Sequence, residues 1–140
     1  VAQGYRINGM ASLQAKLKKL PGQVKQAAIA DIEDAADAIV MKAIQKVPVD
    51  LGVLKQSIGN QPKKGGLNYI VYVSADYAPF VEFGTGAETT VPAGLSEYAS
   101  QFKGSGNNRN VPAQPFFFAG YFEERAKLLK TLERSIAQYL

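Results

Sequence analysis

One stretch governs what this chain can fold into. From Gly22 to Lys46 no proline interrupts, and Val24, Ala28, Ile32, Ala35, Ile39, Ala43 and Val47 recur at three- and four-residue steps. Asp31, Asp34, Lys42 and Lys46 stand off that stripe. The period predicts an amphipathic helix, and acids placed N-terminal of lysines suit its dipole. At 1.5 Å per residue it runs to roughly 37 Å, a length that outruns the width of so small a domain. Part of its alanine-rich face is therefore expected to pack on a neighbouring subunit, the alternative being a close helix approach within the one chain, which small residues also permit.

The segments around it are shorter. Tyr5 to Gly9 alternates as a short strand would, and Ser12 caps an expected helix carrying Leu13, Leu17 and Leu20, stopped by Pro21-Gly22. Pro48 ends the long helix, and Asp50 is expected to cap a short one leading to Ile58. Ile58–Gln61 and Leu67–Ser74 flank Pro62-Lys63-Lys64-Gly65-Gly66, which reads as a β-hairpin. Two strands are marginal alone, so the hairpin calls for a third strand, a helix face or an edge from another chain. Asp76 is the expected cap of a helix over Tyr77–Phe83, with Pro79 in its tolerant first turn and Gly84-Thr85-Gly86 at its end. Residues 87–111 are the least regular, with a short amphipathic helix expected within Pro92–Phe102 and turn material at Gly104–Asn108. Pro115 opens a last helix, with Phe118, Phe122, Leu129, Leu132 and Ile136 assigned to one face.

These elements predict an α+β class. The long helix of the N-terminal half and the C-terminal helix pack on a small antiparallel sheet, with short helices and a long loop. Residues 1–140 form a single domain, with a flexible or interface-forming insertion at about 87–110. No apolar run approaches the ~20 residues that cross a bilayer, and the first residues lack the apolar core of a signal peptide, so neither span nor leader is expected.

Composition narrows the chemistry. The chain holds no Cys, His or Trp among its 140 residues, which excludes His-based triads, thiolate chemistry and an ordinary zinc site. The net charge of +4 is unevenly placed. Residues 1–30 carry Arg6, Lys16, Lys18, Lys19 and Lys25 with no acid, an acidic block follows at Asp31, Glu33, Asp34 and Asp37, and Lys55, Lys63 and Lys64 restore positive charge. Basic blocks fit contact with nucleic acid or simply a solvated surface.

Three features invite a chemical reading. Glu82 in Phe80-Val81-Glu82-Phe83 is a carboxylate in a greasy setting, the look of a general acid. The alternative is a head that reaches water or binds a cationic group of the fold or a neighbour. No second acid stands at a recognisable spacing, so no catalytic residue is assigned. Gly84-Thr85-Gly86 lacks the Lys-Ser/Thr of a P-loop and reads as a helix stop. In Phe116-Phe117-Phe118 only about one face of the turn can enter the chain's own core, so one ring is expected to meet another surface. No basic residues interleave with these rings, which favours a protein interface over base stacking. No cofactor and no metal are expected.

Three segments in this order carry a family resemblance: Pro48-Val49-Asp50-Leu51-Gly52-Val53-Leu54-Lys55-Gln56-Ser57-Ile58, Tyr77-Ala78-Pro79-Phe80-Val81-Glu82-Phe83-Gly84-Thr85, and Val111-Pro112-Ala113-Gln114-Pro115-Phe116-Phe117. The chain resembles the small neck and minor tail-component proteins of long-tailed bacteriophages, the head–tail joining and tail-completion group. It departs from that pattern at Phe118, Ala119 and Gly120, where a basic residue, Pro and Ala are usual, and in the length of its insertion between Gly86 and Val111. The resemblance implies a non-enzymatic virion protein forming a homo-oligomeric ring in the neck or at the head-proximal end of the tail. Its implied partners are further copies of itself, the head connector or stopper, and the tail tube or tail terminator. DNA passes through the lumen as cargo, no membrane is involved, and assembly takes place in the host bacterial cytoplasm. Tail terminator or tail completion is the alternative station. The motif positions expected to carry fold or interface are Pro48, Gly52, Leu54, Ser57, Ile58, Tyr77, Val81, Glu82, Phe83, Gly84, Thr85, Pro112, Pro115, Phe116 and Phe117. Gly52 and Gly84 are expected to be backbone-constrained turn positions, and Glu82 an inward anchor or subunit contact. Two rival classes are a small basic DNA-binding protein and a carboxylate enzyme such as a glycosidase.

Overall fold

A computed structural model describes the backbone of residues 5–8 together with residues 22–85, 94–95 and 111–138. The long helix, α1, spans Gly22–Lys46. Next come the short helix α2 (Gly52–Gln56), strand β2 (Ile58–Lys63), a 3-10 turn (Lys64–Gly66) and strand β3 (Asn68–Val73). Helix α3 covers Ala78–Phe83 and helix α4 covers Phe118–Ala137. Strand β1 (Tyr5–Asn8) completes a three-stranded antiparallel sheet in the order β1-β3-β2. The fold is α+β, and the third strand that the hairpin called for comes from the same chain.

Register explains the hairpin. Ile58 pairs with Val73, Asn60 with Val71 and Pro62 with Tyr69. β2 therefore runs two residues further than the expected Gln61, straight through a proline. The Ser74 N–H donates to the Ser57 carbonyl, so levels alternating from that pair leave Pro62 with its backbone turned away from β3. On an edge strand that position needs no N–H. Gly59 lies opposite Tyr72, whose ring occupies the space a β-carbon would take, with its hydroxyl oxygen 2.6 Å from that point. At the hairpin end Gly66 has φ +91°, and a β-carbon there would meet Ile29 of α1 at 2.8 Å. The turn thus seats directly on the long helix.

Of the expected stripe, Val24, Ala28, Ala35, Ile39, Ala43 and Val47 are buried and Ile32 only partly so, while Ala36, outside the stripe, is buried as well. The alanine-rich face is covered inside the chain, by the sheet on one flank and α4 on the other, which replaces the expected neighbouring subunit. Small side chains let both partners approach closely. α1 and α4 run antiparallel: Lys42 meets Glu123 and Glu124 near one end, and Asp31 accepts a 2.7 Å hydrogen bond from the Ser135 hydroxyl near the other. The main core gathers Ile39, Ala43, Leu54, Val71, Val73, Phe83 and Phe116–Phe118, and a smaller one joins Ala28, Leu67 and Leu132.

Several local expectations change. Leu51, not Asp50, is the N-cap of α2, and Tyr77, not Asp76, that of α3, and neither makes a side-chain cap. Both short helices are set by packing of Leu54, Ala78 and Phe83, each fully buried, so a polar cap is dispensable. On α4 Phe122 and Leu129 are each 39% exposed, and Tyr121 and Leu128 take their places against the cores. Phe118, Leu132 and Ile136 of the expected stripe do pack inward, and Glu124 rather than Phe122 or Leu129 completes the α1-facing side. All three rings of Phe116-Phe117-Phe118 are buried within the chain, so none is left over for another surface. The expected helices at 12–20 and within 92–102, and the turn at 104–108, lie outside the described residues, as does the insertion at 87–110 apart from Gly94 and Leu95.

Candidate functional site

The second and third motifs meet at Glu82. Its side chain is 3% exposed, and its two oxygens accept three consecutive backbone N–H groups. Oε2 takes those of Phe116 at 2.8 Å and Phe117 at 3.0 Å, and Oε1 takes that of Phe118 at 3.1 Å. The first N–H groups of any helix lack intrahelical partners, and a carboxylate there also faces the positive end of the dipole. The residues before α4, Ala113-Gln114-Pro115-Phe116-Phe117, include no Ser, Thr, Asp or Asn to cap locally, and the N-cap Phe117 makes no side-chain bond. Glu82 supplies the cap from 34–36 residues away. Its partners are therefore backbone donors, not water and not a cationic group.

Further bonds hold the strands of this junction together. The Gln114 N–H donates to the Val81 carbonyl at 2.8 Å, and the Thr85 N–H to the Val111 carbonyl at 2.9 Å. The Val111 N–H in turn donates to the Thr85 hydroxyl oxygen at 3.0 Å. Gly84 makes the corner with φ +74° and ψ −176°, a conformation essentially reserved for glycine. The Phe83 and Phe118 rings stack at 5.7 Å, and Phe117 stacks on Tyr121 while standing edge-on to Phe118. Three adjacent phenylalanines can all be buried because the backbone turns from extended to helical at Phe117 and sends their rings in different directions.

The first motif enters through packing. Leu54 and Ile58 belong to the same core as Phe83, Phe116 and Phe117, and Val81 packs against it. The Ser57 hydroxyl donates to the Leu54 carbonyl at 2.7 Å, closing α2. The remaining motif positions are not gathered in. Pro48 is half-buried, while Tyr77, Pro112 and Pro115 are exposed. Gly52 is exposed too: its φ is not positive and a β-carbon would meet nothing within 4 Å, so nothing in the structure requires glycine there.

Sequence reasoning missed two contributors. Phe118 gives the third N–H to Glu82 and the ring that covers Phe83; the absent local cap ahead of α4 was the signal for it. The second is the charged seam between α1 and α4. Lys42 Nζ lies 2.6 Å from Glu124 and 3.0 Å from Glu123, and Lys127 sits 3.5 Å and 3.3 Å from the same pair. Glu124 first, then Glu123, hold the Lys42 ammonium above the ordinary lysine range, and Lys42 and Lys127 hold the Glu123 carboxyl below the usual carboxylate range. Elsewhere burial, then Glu33 and Asp37, push the Tyr69 phenol up. Among the described residues no cluster of Asp or Glu is arranged to hold a metal ion, and no helix is long and apolar enough to cross a membrane.

An edge-limited sheet under one long helix, joined to a second helix by a buried carboxylate, defines a small α+β domain. The sequence model of the bacteriophage HK97-gp10 tail-component family matches residues 11–84, just over half of the chain, and the chain belongs to that family. Membership makes it a structural component of a phage tail. No curated protein and no solved structure matches the chain. The family match takes in the first motif and most of the second but stops short of the third. Glu82 is matched; the three N–H groups that it receives are not.

Proposed function

We propose that this chain is the repeating subunit of a ring in the neck, or at the head-proximal end of the tail, of a long-tailed phage. The ring joins the head connector to the tail tube and surrounds the passage through which DNA leaves. Copies of the chain, the connector or stopper, and the tube or terminator are its partners; the nucleic acid is cargo. The observation that carries a structural reading is the engagement of Glu82. The one carboxylate whose setting resembled a general acid has both oxygens occupied by backbone donors that fix the start of α4, so it organises the fold and holds no position open for a substrate. Membership of a tail-component family supplies the biological setting.

The test is the mass of the purified protein across a concentration series, followed by electron microscopy of whatever assembles. Annular particles of fixed copy number, formed with little dependence on salt, are expected. A protein that stays a single copy at high concentration and in the presence of tail-tube and connector proteins overturns the ring. A duplex affinity that collapses steeply with added salt would favour the DNA-binding alternative instead.

A further inference from the structure

We propose that neighbouring subunits meet helix to helix, the outer stripe of α4 on one copy docking antiparallel on the exposed stripe of α1 on the next. This rests on the ring reading above and specifies the surfaces that join its subunits. Phe122, Ala126 and Leu129 follow at four- and three-residue steps, so they share one face of α4. All three are exposed, and they lie around the helix from Gly120, Glu124 and Ser135, which meet α1. Outside the seam with Lys42, the exposed charges of α4 are Arg125, Lys130, Glu133 and Arg134, three cations to one acid. α1 presents the complement. Its exposed stripe holds Ala30, Asp34, Asp37 and Met41, the last 57% exposed. Glu33 adjoins these acids, and no Lys or Arg occurs between Lys25 and Lys42.

The two stripes also match in register. With the helices antiparallel and Phe122 set against Met41, Lys130 lies eight residues along its helix, about 12 Å, and Asp34 seven residues back along the other, about 10 Å. At about 100° per residue, Arg125 and Lys130 stand on opposite flanks of the α4 stripe, as Asp37 and Asp34 do on α1. The antiparallel arrangement brings Arg125 to Asp37 on one flank and Lys130 to Asp34 on the other. The Asn60 amide already fixes Asp37, donating to its Oδ1 at 3.0 Å. Exposed pairs of this kind add little affinity. They select partner and register, while burial of the apolar side chains drives association with little dependence on salt. The stripes are two different surfaces, so each copy gives α4 to one neighbour and α1 to the other. Such a head-to-tail contact generates a ring when its rotation closes.

Two charge reversals test the docking. One variant carries Arg125→Glu with Lys130→Glu, the other Asp34→Lys with Asp37→Lys. Mass in solution and electron micrographs are read for each, for their equimolar mixture, and for the chain carrying all four changes. Each pair alone is expected to abolish rings, because every junction then faces like charges. The mixture is expected to regain oligomers holding both chains in equal number, and the fourfold variant to form rings by itself. Rings from either pair alone overturn the docking and leave the ring reading standing. So does a mixture that stays unassembled while both chains keep the parent's helical circular-dichroism signal, which would assign the stripes to connector or tube proteins instead. Should a reversal unfold its chain, Met41→Glu is the second probe, a single exposed change at the apolar end of the contact. It is expected to abolish rings at an unchanged melting temperature, and rings like the parent's overturn the docking. A parent that never forms rings overturns both.

Discussion

Glu82 and the Glu123–Glu124 pair both fasten α4, and they differ in what receives the charge. At its start Glu82 is sealed from solvent and satisfied by three backbone N–H groups. Two turns later Glu123 and Glu124 meet Lys42 and Lys127 at a seam open to water, Glu123 and Lys127 each being more than half exposed. The first arrangement cannot be replaced by solvent; the second largely can. The chain uses the buried carboxylate to decide where α4 begins and the exposed ones to decide along which flank of α1 it lies.

The sharpest way to break that contrast is to remove the buried acceptor. Glu82→Leu keeps roughly the volume and leaves three buried donors unmet. At about 1–3 kcal/mol for each orphaned group, the loss in unfolding free energy should be on the order of 3–9 kcal/mol. Glu82→Gln retains one acceptor oxygen but turns an NH2 group toward another N–H, and should cost about 1–3 kcal/mol. Chemical denaturation of both variants checks the order. Equal effects would mean that volume, and not hydrogen bonding, is what Glu82 contributes. Gly84→Ala tests the corner next to it. A β-carbon at φ +74° and ψ −176° should cost about 1–3 kcal/mol without altering the three bonds, so it should add to Glu82→Gln only if the corner and the cap are independent.

How much of this was legible follows from the range of each interaction. The α1 stripe was readable at most of its positions, Ile32 and the buried Ala36 apart, because burial of a long helix repeats along the sequence with a fixed period. Glu82 stood out as a carboxylate among Phe80, Val81 and Phe83, yet its partners did not. They are backbone groups, identical at every position, and they lie 34–36 residues away. The same distance defeated the reading of Phe116-Phe117-Phe118. A helix drawn through all three leaves a ring facing outward, whereas the turn at Phe117, fixed by Glu82, buries each of them. Phe122 and Leu129 failed for a milder reason. On a helix covered along one side by α1, polar Glu124 can take an inward position because Lys42 answers it, and an apolar stripe alone did not reveal which side was covered. Asp50 and Asp76 were good caps by composition, but helices of five and six residues pinned by fully buried side chains start where packing starts them.

The exposed seam gives the smallest effect and the one that depends on pH. Lys42 is held above its ordinary value in the folded chain. Its contribution is therefore fully present below the ordinary lysine value of about 10.4 and is lost only as pH rises through the higher folded value. Glu123 is held below its ordinary value, so its contribution is present above about pH 4.3 and fades as pH falls through the lower folded value. Lys42→Met keeps the stem that lies against Gly120 and removes only the charge. Thermal unfolding should show the variant below the parent near neutral pH, by less than Gly84→Ala, and the gap should shrink as pH falls through the lowered range of Glu123. Added salt at neutral pH should narrow it as well, since an exposed pair is screened over about 10 Å at 0.1 M. A gap that persists in acid would assign the loss to the packing of the lysine stem and its neighbours, and the seam would then differ from the buried cap in degree rather than in kind.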